Sequence, residues 1–438
     1  MHKILILSGD KSIGGKIETL DLNNLSVDNM ELIFEQKINL STQYRVFFEY
    51  VESLQKDKQL TKLSDFMFVY NISKYMRISA SMKIRNSVVL LGNYKISSIK
   101  SFVVFLRHFF KTNTIFSLFA NLLGIFHIPE RFVLVFLSSY KNYRDNLIEV
   151  LSKLELENVV LFSSGYDNLI FLINTIQKNS NIKFILILNN WDNPSSKSFV
   201  SQNFIKIALW NRQQIKHILA YNKISRSTLK VIGSKTADDA YRKYITEIAP
   251  ILNQEKTLLY IGQQNSYDEI GDLLRIQNYL NDNPRSYYRK LAYRPHPLSR
   301  MKMKRLNLHK NDIKNIDVVL GSSIDLRKFD GIICLPTTLV LEVVLSKKPA
   351  IIYTPKSQKY RRDPAQMWNY DHFNEFKQEG FLKVIKDFNQ LKNYLEYGLP
   401  MQKEFNQSKL EYFFPFYTEN YTTRFSQLVQ QIVYPNKK

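Results

Sequence analysis

Two short motifs in the second half of the chain contain the side-chain types that bind phosphate. An Arg-Pro-His-Pro motif spans Arg294 to Pro297 and follows an apolar-leaning run, so it should lie where a strand ends. Thr337 and Thr338 follow a second apolar run and precede a helical stretch. Ligands of open α/β sheets bind at the carboxyl ends of strands, where helix N-termini supply N–H donors and partial positive charge. The two motifs therefore predict one anion site.

Each motif also has a purely structural interpretation. The two prolines would fix a rigid turn in which His296 bonds to nearby backbone groups, and the threonine pair would cap an ordinary helix. The order of the motifs within one predicted α/β domain favours the functional interpretation, in which Arg294, His296, Thr337 and Thr338 hold phosphate groups. The sequence shows no Asp-x-Asp motif and no clustered histidines, so we predict neither a metal site nor a cofactor.

Four carboxylates are candidates for the remaining chemistry. Glu342 lies one helical turn after the threonine pair, where it would either accept hydrogen bonds from a ribose or remain a solvated helix residue beside two lysines. Asp10, Asp167 and Asp192 each follow a predicted strand in the first half of the chain, as a general base in a cleft would. Aspartate also favours turns, so the acid–base role stays open between Asp10, Asp192 and the imidazole of His296.

The elements that position these groups alternate between apolar strand-like runs and helical stretches. This alternation predicts parallel sheets of the α/β class, with one of the strands at 132–137. At 438 residues the chain is long for one core and fits two domains. A charged stretch that gives way to Pro250 marks the boundary, which predicts domains 1–248 and 249–438, with packing of the last helix on the first domain as an option.

The net charge of +22 indicates an acidic partner, and nucleic acid, anionic lipid and phosphorylated substrates all qualify. The positive charge is spread along the chain without a zinc-finger spacing or an RNP-type motif, so no specific nucleic-acid binding is predicted. The segment 99–136 places aromatic residues between basic ones. Polar residues interrupt this segment, so it should not cross a bilayer; it is either a core helix or a face that docks on a membrane.

The compartment is predicted from the cysteine content and from the first residues. Cys334 is the only cysteine and lies in an apolar run, which excludes intramolecular disulfides and indicates a buried residue in a reducing compartment. The first residues are typical of a β-strand, with a hydrophobic run too short for a signal peptide. We expect a cytoplasmic protein, with docking at the inner face of the cytoplasmic membrane as an alternative.

Several strand-end segments occur in an order that is typical of one enzyme family. Residues 189–197 contain Trp-Asp-Asn followed by a lysine, 208–211 end in Trp-Asn, and 229–233 form a strand followed by Gly. A further strand at 257–262, the His-Pro element and the segment 336–349 come next. Together they resemble bacterial surface-carbohydrate glycosyltransferases of the GT-B fold, of the capsule or O-antigen type, over roughly residues 180–355. Wider relatives are bacterial sialyltransferases, Kdo transferases and polyol-phosphate transferases.

The resemblance implies a GT-B-like α/β fold, in which two Rossmann-like domains face a central cleft and the second domain binds the donor. It implies a metal-independent glycosyltransferase that takes a nucleotide-sugar and a saccharide or lipid-linked acceptor, in polysaccharide biosynthesis. The Arg-Pro-His-Pro and threonine motifs would then hold the donor phosphates, and Glu342 the ribose. Two alternatives stay open: a CDP-polyol phosphotransferase that uses the same anion site, and a non-catalytic basic protein that binds polyanions or a membrane surface.

Overall fold

The computed structural model divides the chain into two compact units, which are described separately below. The first unit contains Met1–Asp238 and Pro415–Lys438, and the second contains Asp239–Phe414. The structure describes residues 2–8, 30–35, 39–75, 120, 123, 126, 128–163, 168–174, 176, 181–188, 191, 203–222, 224–246, 255–263, 269–296, 316–320, 324–355, 364–402 and 407–434.

A parallel sheet forms the centre of the first unit. Its strands are β1 His2–Ser8, β2 Met30–Ile33, β3 Asn158–Ser163, β4 Lys183–Leu188, β5 Phe204–Leu209 and β6 Leu229–Val231. The order across the sheet is β2-β1-β3-β4-β5-β6, with every neighbouring pair parallel. The central strands are nearly continuous apolar runs because a parallel sheet is covered on both faces, and each strand must therefore bury both of its sides.

Helices cover both faces of this sheet. Their described members are Thr42–Lys56, Lys58–Tyr75, Glu130–Phe136, Ser138–Lys153, Asn168–Asn174, Arg212–Tyr221, Lys235–Tyr241, which runs on into the second unit, and Tyr421–Val433. Leu5, Val159 and Leu186 point into a core shared with the helices of residues 42–75 and 138–174. The alternate strand residues, such as Ile6 and Val160, pack against the C-terminal helix. The last helix of the chain is therefore part of the first unit.

Arg424 fastens that C-terminal helix to the unit. Its guanidinium donates to both carboxylate oxygens of Asp238, at 2.9 and 3.0 Å, and its Nε donates to the carbonyl oxygen of Ile232 at 2.7 Å. The ring of Tyr417 lies 4.0 Å below the guanidinium carbon. Gly233 has a φ of +77°, and a Cβ there would lie 2.9 Å from the guanidinium. A buried charge is tolerated here because its donors are bonded to a carboxylate and to a carbonyl.

The second unit is built on another parallel sheet. Its strands are β7 Thr257–Ile261, β8 Lys290–Arg294, β9 Asp317–Val318, β10 Gly331–Cys334, β11 Ala350–Tyr353 and β12 Lys383–Ile385. The order is β12-β11-β10-β7-β8-β9, with all pairs parallel. Numbered from the first strand of this unit and read from β9, this is 3-2-1-4-5-6, the strand order of dinucleotide-binding domains. The order reverses between β7 and β10, which is where such sheets bind ligands.

Helices pack on both faces of the second sheet as well. The described helices are Glu269–Asp282, Val340–Leu345, Pro364–Met367, Asp371–Glu379, Phe388–Tyr397 and Gln407–Phe413. The helices at 269–282 and 388–397 share a core with Tyr260, Tyr293 and Ile333. A π-helical turn, Arg242–Thr246, follows the helix that joins the two units, and a 3₁₀ turn, Leu326–Lys328, precedes β10.

The prediction of two Rossmann-like α/β domains is confirmed by these two parallel sheets. The sequence predicts a domain boundary after residue 248, and the structure divides the two units after Asp238. The predicted strand at 132–137 is wrong, because Glu130–Phe136 is a helix. Its buried residues Val133, Leu134 and Leu137 have helical spacing, whereas a half-buried strand would bury alternate residues.

The segment 99–136 is described only in part, since 99–119 and several later residues lie outside the described residues. Its described end is the helix at 130–136, where Phe132 and Val135 are exposed while the buried residues face the core of the first unit. None of the helices within the described residues has both the length and the apolarity that a bilayer crossing requires.

Candidate functional site

The two predicted anion-binding motifs end strands on either side of β7. Ile261, the last residue of β7, is in register with Arg294 on β8 and with Cys334 on β10. Backbone hydrogen bonds of 3.0 Å continue past the strand ends, from Gly262 N to Arg294 O and from Leu335 N to Ile261 O. The carboxyl ends of β7, β8 and β10 therefore form one continuous edge, at the point where the strand order reverses.

Arg294 ends β8 and brings a positive charge to this edge. Its side chain is only 7% exposed and lies on the face of the sheet opposite to that of Tyr293, since neighbouring strand residues point to opposite faces. Its positive charge acts on two groups, lowering the pKa of Cys334 and of Glu342, although burial raises both pKa values overall. The guanidinium is therefore close enough to the end of β10 and to the first turn of the next helix to act electrostatically on both.

His296 and the threonines occupy the ends of the two strands. His296 is partly exposed two residues after β8, next to the buried Pro295. Thr337 Oγ1 accepts a hydrogen bond of 3.2 Å from Leu339 N, so it stabilises the turn before the helix Val340–Leu345. Thr338 is exposed. Thr337 therefore has the structural role of a turn-forming hydroxyl in addition to its place at the predicted site.

Glu342 lies among cationic and hydroxyl groups. Burial raises its pKa, and the charges of Arg294 and Lys243 oppose that rise; the Tyr244 hydroxyl lies nearby and donates a 3.2 Å hydrogen bond to the carbonyl oxygen of Ile324. Lys243 and Tyr244 come from the π-helical turn, where Lys243 donates to the carbonyl oxygen of Ile324 at 2.5 Å. Neither Lys243 nor Tyr244 was singled out from the sequence, because about a hundred positions of the chain separate them from Glu342. Glu342 thus lies within the electrostatic influence of Arg294 and Lys243, on the helix that follows β10.

A second carboxylate at this edge, Glu269, was also missed. It is the first residue of the helix after β7 and is only 7% exposed. Its Oε1 accepts a 2.7 Å hydrogen bond from Gln263 N, and its Oε2 accepts a 2.6 Å hydrogen bond from the Tyr293 hydroxyl. Burial raises the pKa of Glu269 to about 7, with a further upward contribution from Asp272, and the two hydrogen bonds oppose that rise. The sequence offered one signal for Glu269, which is its position after an apolar strand and at the start of a helix.

Gly262 is required by this carboxylate. A Cβ added at residue 262 would overlap Oε2 of Glu269 and would lie 2.9 Å from its Cδ. No side chain larger than hydrogen therefore fits at the end of β7 while Glu269 keeps its place. Gly262 and Glu269 therefore pack against each other at the end of β7, next to the end of β8 that carries Arg294.

Trp191, the one described residue of the Trp-Asp-Asn segment, meets the Trp-Asn segment at the corresponding edge of the first unit. Trp191 is fully buried, and its Nε1 donates a 2.6 Å hydrogen bond to Gln213 Oε1. Gln214 donates to the carbonyl oxygen of Trp191 at 3.1 Å and accepts from Trp210 N at 2.7 Å. Asn211 caps the helix Arg212–Tyr221, since its side chain accepts a 3.0 Å hydrogen bond from Gln214 N. Two buried glutamines, which the sequence did not single out, thus hold the ends of β4 and β5 together.

The predicted acid–base aspartates are not placed by the structure. Asp10, Asp167 and Asp192 all lie outside the described residues. Within the described ranges, no group of three or more His, Cys, Asp or Glu side chains is arranged to hold a metal ion. The described site therefore consists of Arg294, His296, the threonine turn, the buried Glu269 and the partly exposed Glu342.

The comparisons with known proteins found likeness of structure only. No protein-family model matches the chain, and no curated protein sequence matches it. UDP-GlcNAc 2-epimerase from Neisseria meningitidis bound to UDP-GlcNAc is 12% identical, with 99% of this chain and 100% of that chain covered and a TM-score of 0.43. The S. aureus MnaA-UDP co-structure is 13% identical, with coverage of 99% and 97% and a TM-score of 0.44. The wall teichoic acid polymerase TagF is 10% identical, with coverage of 65% and 74% and a TM-score of 0.38. At such values these likenesses assign no activity to the chain.

Proposed function

We propose that this protein is a metal-independent glycosyltransferase of the GT-B type. It transfers a sugar from a nucleotide-activated donor to a saccharide or lipid-linked acceptor in bacterial surface-polysaccharide biosynthesis. The second unit binds the donor and the first unit serves the acceptor. The proposal includes a cytoplasmic location, with peripheral attachment to the inner face of the cytoplasmic membrane as an alternative.

One observation carries this proposal. The buried Arg294 is in register with the ends of β7 and β10, at the reversal point of a sheet with the strand order of dinucleotide-binding domains. A guanidinium presents a planar set of donors that matches phosphate oxygens, and partial burial strengthens each interaction by lowering the local dielectric. A nucleotide that binds at this edge would place its phosphates against Arg294.

The residues around Arg294 can stabilise the nucleotide as the leaving group of the reaction. Transfer of the sugar breaks its bond to phosphate, so negative charge grows on the leaving group and must be stabilised. Arg294 and His296 can donate to that charge, while Thr337 and Thr338 add hydroxyls at the adjacent strand end. This scheme neutralises the phosphates with protein cations and requires no divalent metal.

Glu342 and the aspartates complete the proposed assignment. Glu342 would accept hydrogen bonds from the ribose hydroxyls, within the electrostatic influence of Arg294. The acceptor hydroxyl must lose a proton, for which Asp10, Asp192 and His296 are the candidate bases.

Nucleotide-induced thermal shifts test the donor site. CMP, UDP, GDP and CDP are added separately to the wild type and to Arg294→Ala and His296→Ala, and melting temperatures are compared. Arg289→Ala is the matched control, because this exposed arginine lies just before the opposite end of the same strand. We expect one nucleotide to stabilise the wild type and Arg289→Ala, and the two site variants to lose most of the shift. If none of the four nucleotides raises the melting temperature of the wild type, the proposal is overturned.

Product analysis then separates the related activities. A glycosyl product contains no phosphorus from the donor, whereas a CDP-polyol phosphotransferase would add a phosphorus-containing group to the acceptor. Mass spectrometry of the acceptor after incubation distinguishes the two. Salt-sensitive binding to anionic liposomes that survives the loss of Arg294 and His296, without any nucleotide shift, would instead indicate a non-catalytic polyanion-binding protein.

A further inference from the structure

Glu269 connects the ends of two strands at the proposed donor site. One carboxylate oxygen binds the backbone N–H of Gln263, two residues beyond β7, and the other binds the hydroxyl of Tyr293 on β8. Tyr293 is the direct neighbour of Arg294 in the chain. A single side chain therefore determines the spacing between the loop after β7 and the strand end that carries the phosphate-binding arginine.

The local packing leaves this carboxylate little freedom. Its helix is anchored in the core through Leu273, Ile276 and Leu280, and Gly262 gives it room directly against β7. Tyr260, which is in register with Tyr293, packs beside it with ring centroids 6.2 Å apart. Among the described residues, Asp272, one turn further along the same helix, is the charged group that acts on Glu269, and the guanidinium of Arg275 is 3.8 Å from Asp272. The two hydrogen bonds of the carboxylate are therefore its principal polar contacts in the described residues.

A carboxyl group in this position opposes folding when it ionises. Burial raises the pKa of Glu269 to about 7, which means that the ionised form is less stable here than in water. An apolar residue of similar volume would avoid this cost. Costly buried polar groups that lie at the edge of a ligand site are commonly retained for function rather than for stability.

We propose that Glu269 is a positioning residue of the donor site, which holds the loop after β7 and the Tyr293–Arg294 strand end in the arrangement that receives the nucleotide phosphates. This inference rests on the proposed nucleotide-binding function and assigns to that site a residue that does not touch the ligand. It acts through the Gln263 backbone and through Tyr293.

Three variants separate positioning from simple structural support. In Glu269→Gln the amide oxygen can accept from Gln263 N, and the amide nitrogen can donate to the Tyr293 hydroxyl oxygen, so both links are kept without charge. In Glu269→Leu the volume is similar, but both links are lost. Tyr293→Phe removes only the link to β8. Glu255→Gln is the control, because it deletes an exposed carboxylate near the opposite end of the same sheet.

For each protein, the dissociation constants of CMP, UDP, GDP and CDP are measured by titration calorimetry at pH 7.5, together with the melting temperature without nucleotide. We expect Glu269→Gln and Glu255→Gln to bind the preferred nucleotide within about threefold of the wild type. Glu269→Leu should bind at least tenfold more weakly although its melting temperature is unchanged or higher, and Tyr293→Phe should bind about three- to tenfold more weakly. A purely structural role would lower affinity only together with the melting temperature.

The outcomes distinguish this inference from the proposed function. If the wild type binds no nucleotide, the proposed function fails and this inference fails with it. If Arg294→Ala abolishes binding while Glu269→Leu binds within twofold of the wild type, the positioning role alone is overturned. Should Glu269→Leu not fold, Tyr293→Phe decides in its place, and wild-type affinity in that variant would overturn the role.

Discussion

The hydroxyl of Tyr293 donates a 2.6 Å hydrogen bond to Oε2 of Glu269, and the two residues lie on different elements, 24 positions apart in the chain. Tyr293 precedes Arg294 on β8, and Glu269 begins the helix that follows β7. The link therefore joins the proposed phosphate-binding strand end to the neighbouring strand-to-helix connection. The predictions below begin with the energetic consequences of this contact.

The stability of the protein should fall as the pH rises from about 4.5 to about 7 because of Glu269. Its pKa is 4.5 in an unfolded chain and about 7 in the folded protein, so the folded state binds the proton more tightly across this interval. Stability is greatest while the carboxyl is protonated and is lost as pH approaches the folded pKa, by roughly 3 kcal/mol in total. Urea denaturation at pH 5, 6, 7 and 8 measures this change.

Glu269→Gln should lack this decrease, since its amide does not ionise. The difference in unfolding free energy between the variant and the wild type should therefore grow in favour of the variant from pH 5 to pH 8. Glu255→Gln, which removes an exposed carboxylate, should retain the wild-type pH profile. Parallel profiles for the wild type and Glu269→Gln would show that Glu269 is not the titrating group.

Gly262→Ala should be destabilising, and the effect should depend on Glu269. The added methyl group would overlap the carboxylate, and overpacking of this kind costs about 1–3 kcal/mol. In a Glu269→Ala background the carboxylate is gone, so the same change should cost less than about 1 kcal/mol. Denaturation of the two single variants and the double variant gives the coupling energy.

Gly380 provides the control for that cycle. It has a φ of +67°, and a Cβ there would meet no atom within 4 Å. Gly380→Ala should therefore cost about 1–2 kcal/mol from backbone strain alone, equally in both backgrounds. If Gly262→Ala behaved in the same additive way, the close contact between Gly262 and Glu269 would not be the cause of its effect.

Glu342→Ala should weaken the binding of a ribonucleotide more than that of its 2′,3′-dideoxy analogue. A carboxylate that accepts hydrogen bonds from ribose hydroxyls loses them on truncation, and a charge-assisted hydrogen bond contributes about 1.5–3 kcal/mol, or at least tenfold in affinity. A 2′,3′-dideoxynucleotide offers no such hydroxyls and should be affected little. Equal losses for both ligands would indicate that Glu342 acts only through its electrostatic interaction with Arg294.

Arg424→Ala should destabilise the first unit and release its C-terminal helix. The truncation leaves the mostly buried Asp238 without its guanidinium partner, and loss of one member of a buried ion pair typically costs about 3–5 kcal/mol. Limited proteolysis should cleave within 415–438 faster than in the wild type. Lys409→Ala is the control, because its ion pair with Glu379 is largely exposed and should contribute less than about 1 kcal/mol.

Local patterns in the sequence were sufficient to predict the two α/β domains and the strand ends that carry Arg294 and Thr337. Apolar runs identify buried parallel strands, and a polar residue after such a run lies at the carboxyl edge wherever the strand is placed in the sheet. The helix at 130–136 was mistaken for a strand because a short apolar run fits both structures. Its distinguishing feature is the helical spacing of the residues that reach the core, which only packing reveals.

The sequence by itself thus determined the fold class, the residue types of the proposed anion site and their position at strand ends, since these follow from side-chain chemistry and short-range periodicity. Only the tertiary structure decided which of these residues meet. It placed β7 between the two motifs, brought Tyr244 to Glu342, joined Arg424 to Asp238 across 186 positions, and buried Glu269 against Gly262 and Tyr293. Strand order, burial and the resulting pKa arise from contacts between distant segments, and no local pattern encodes them.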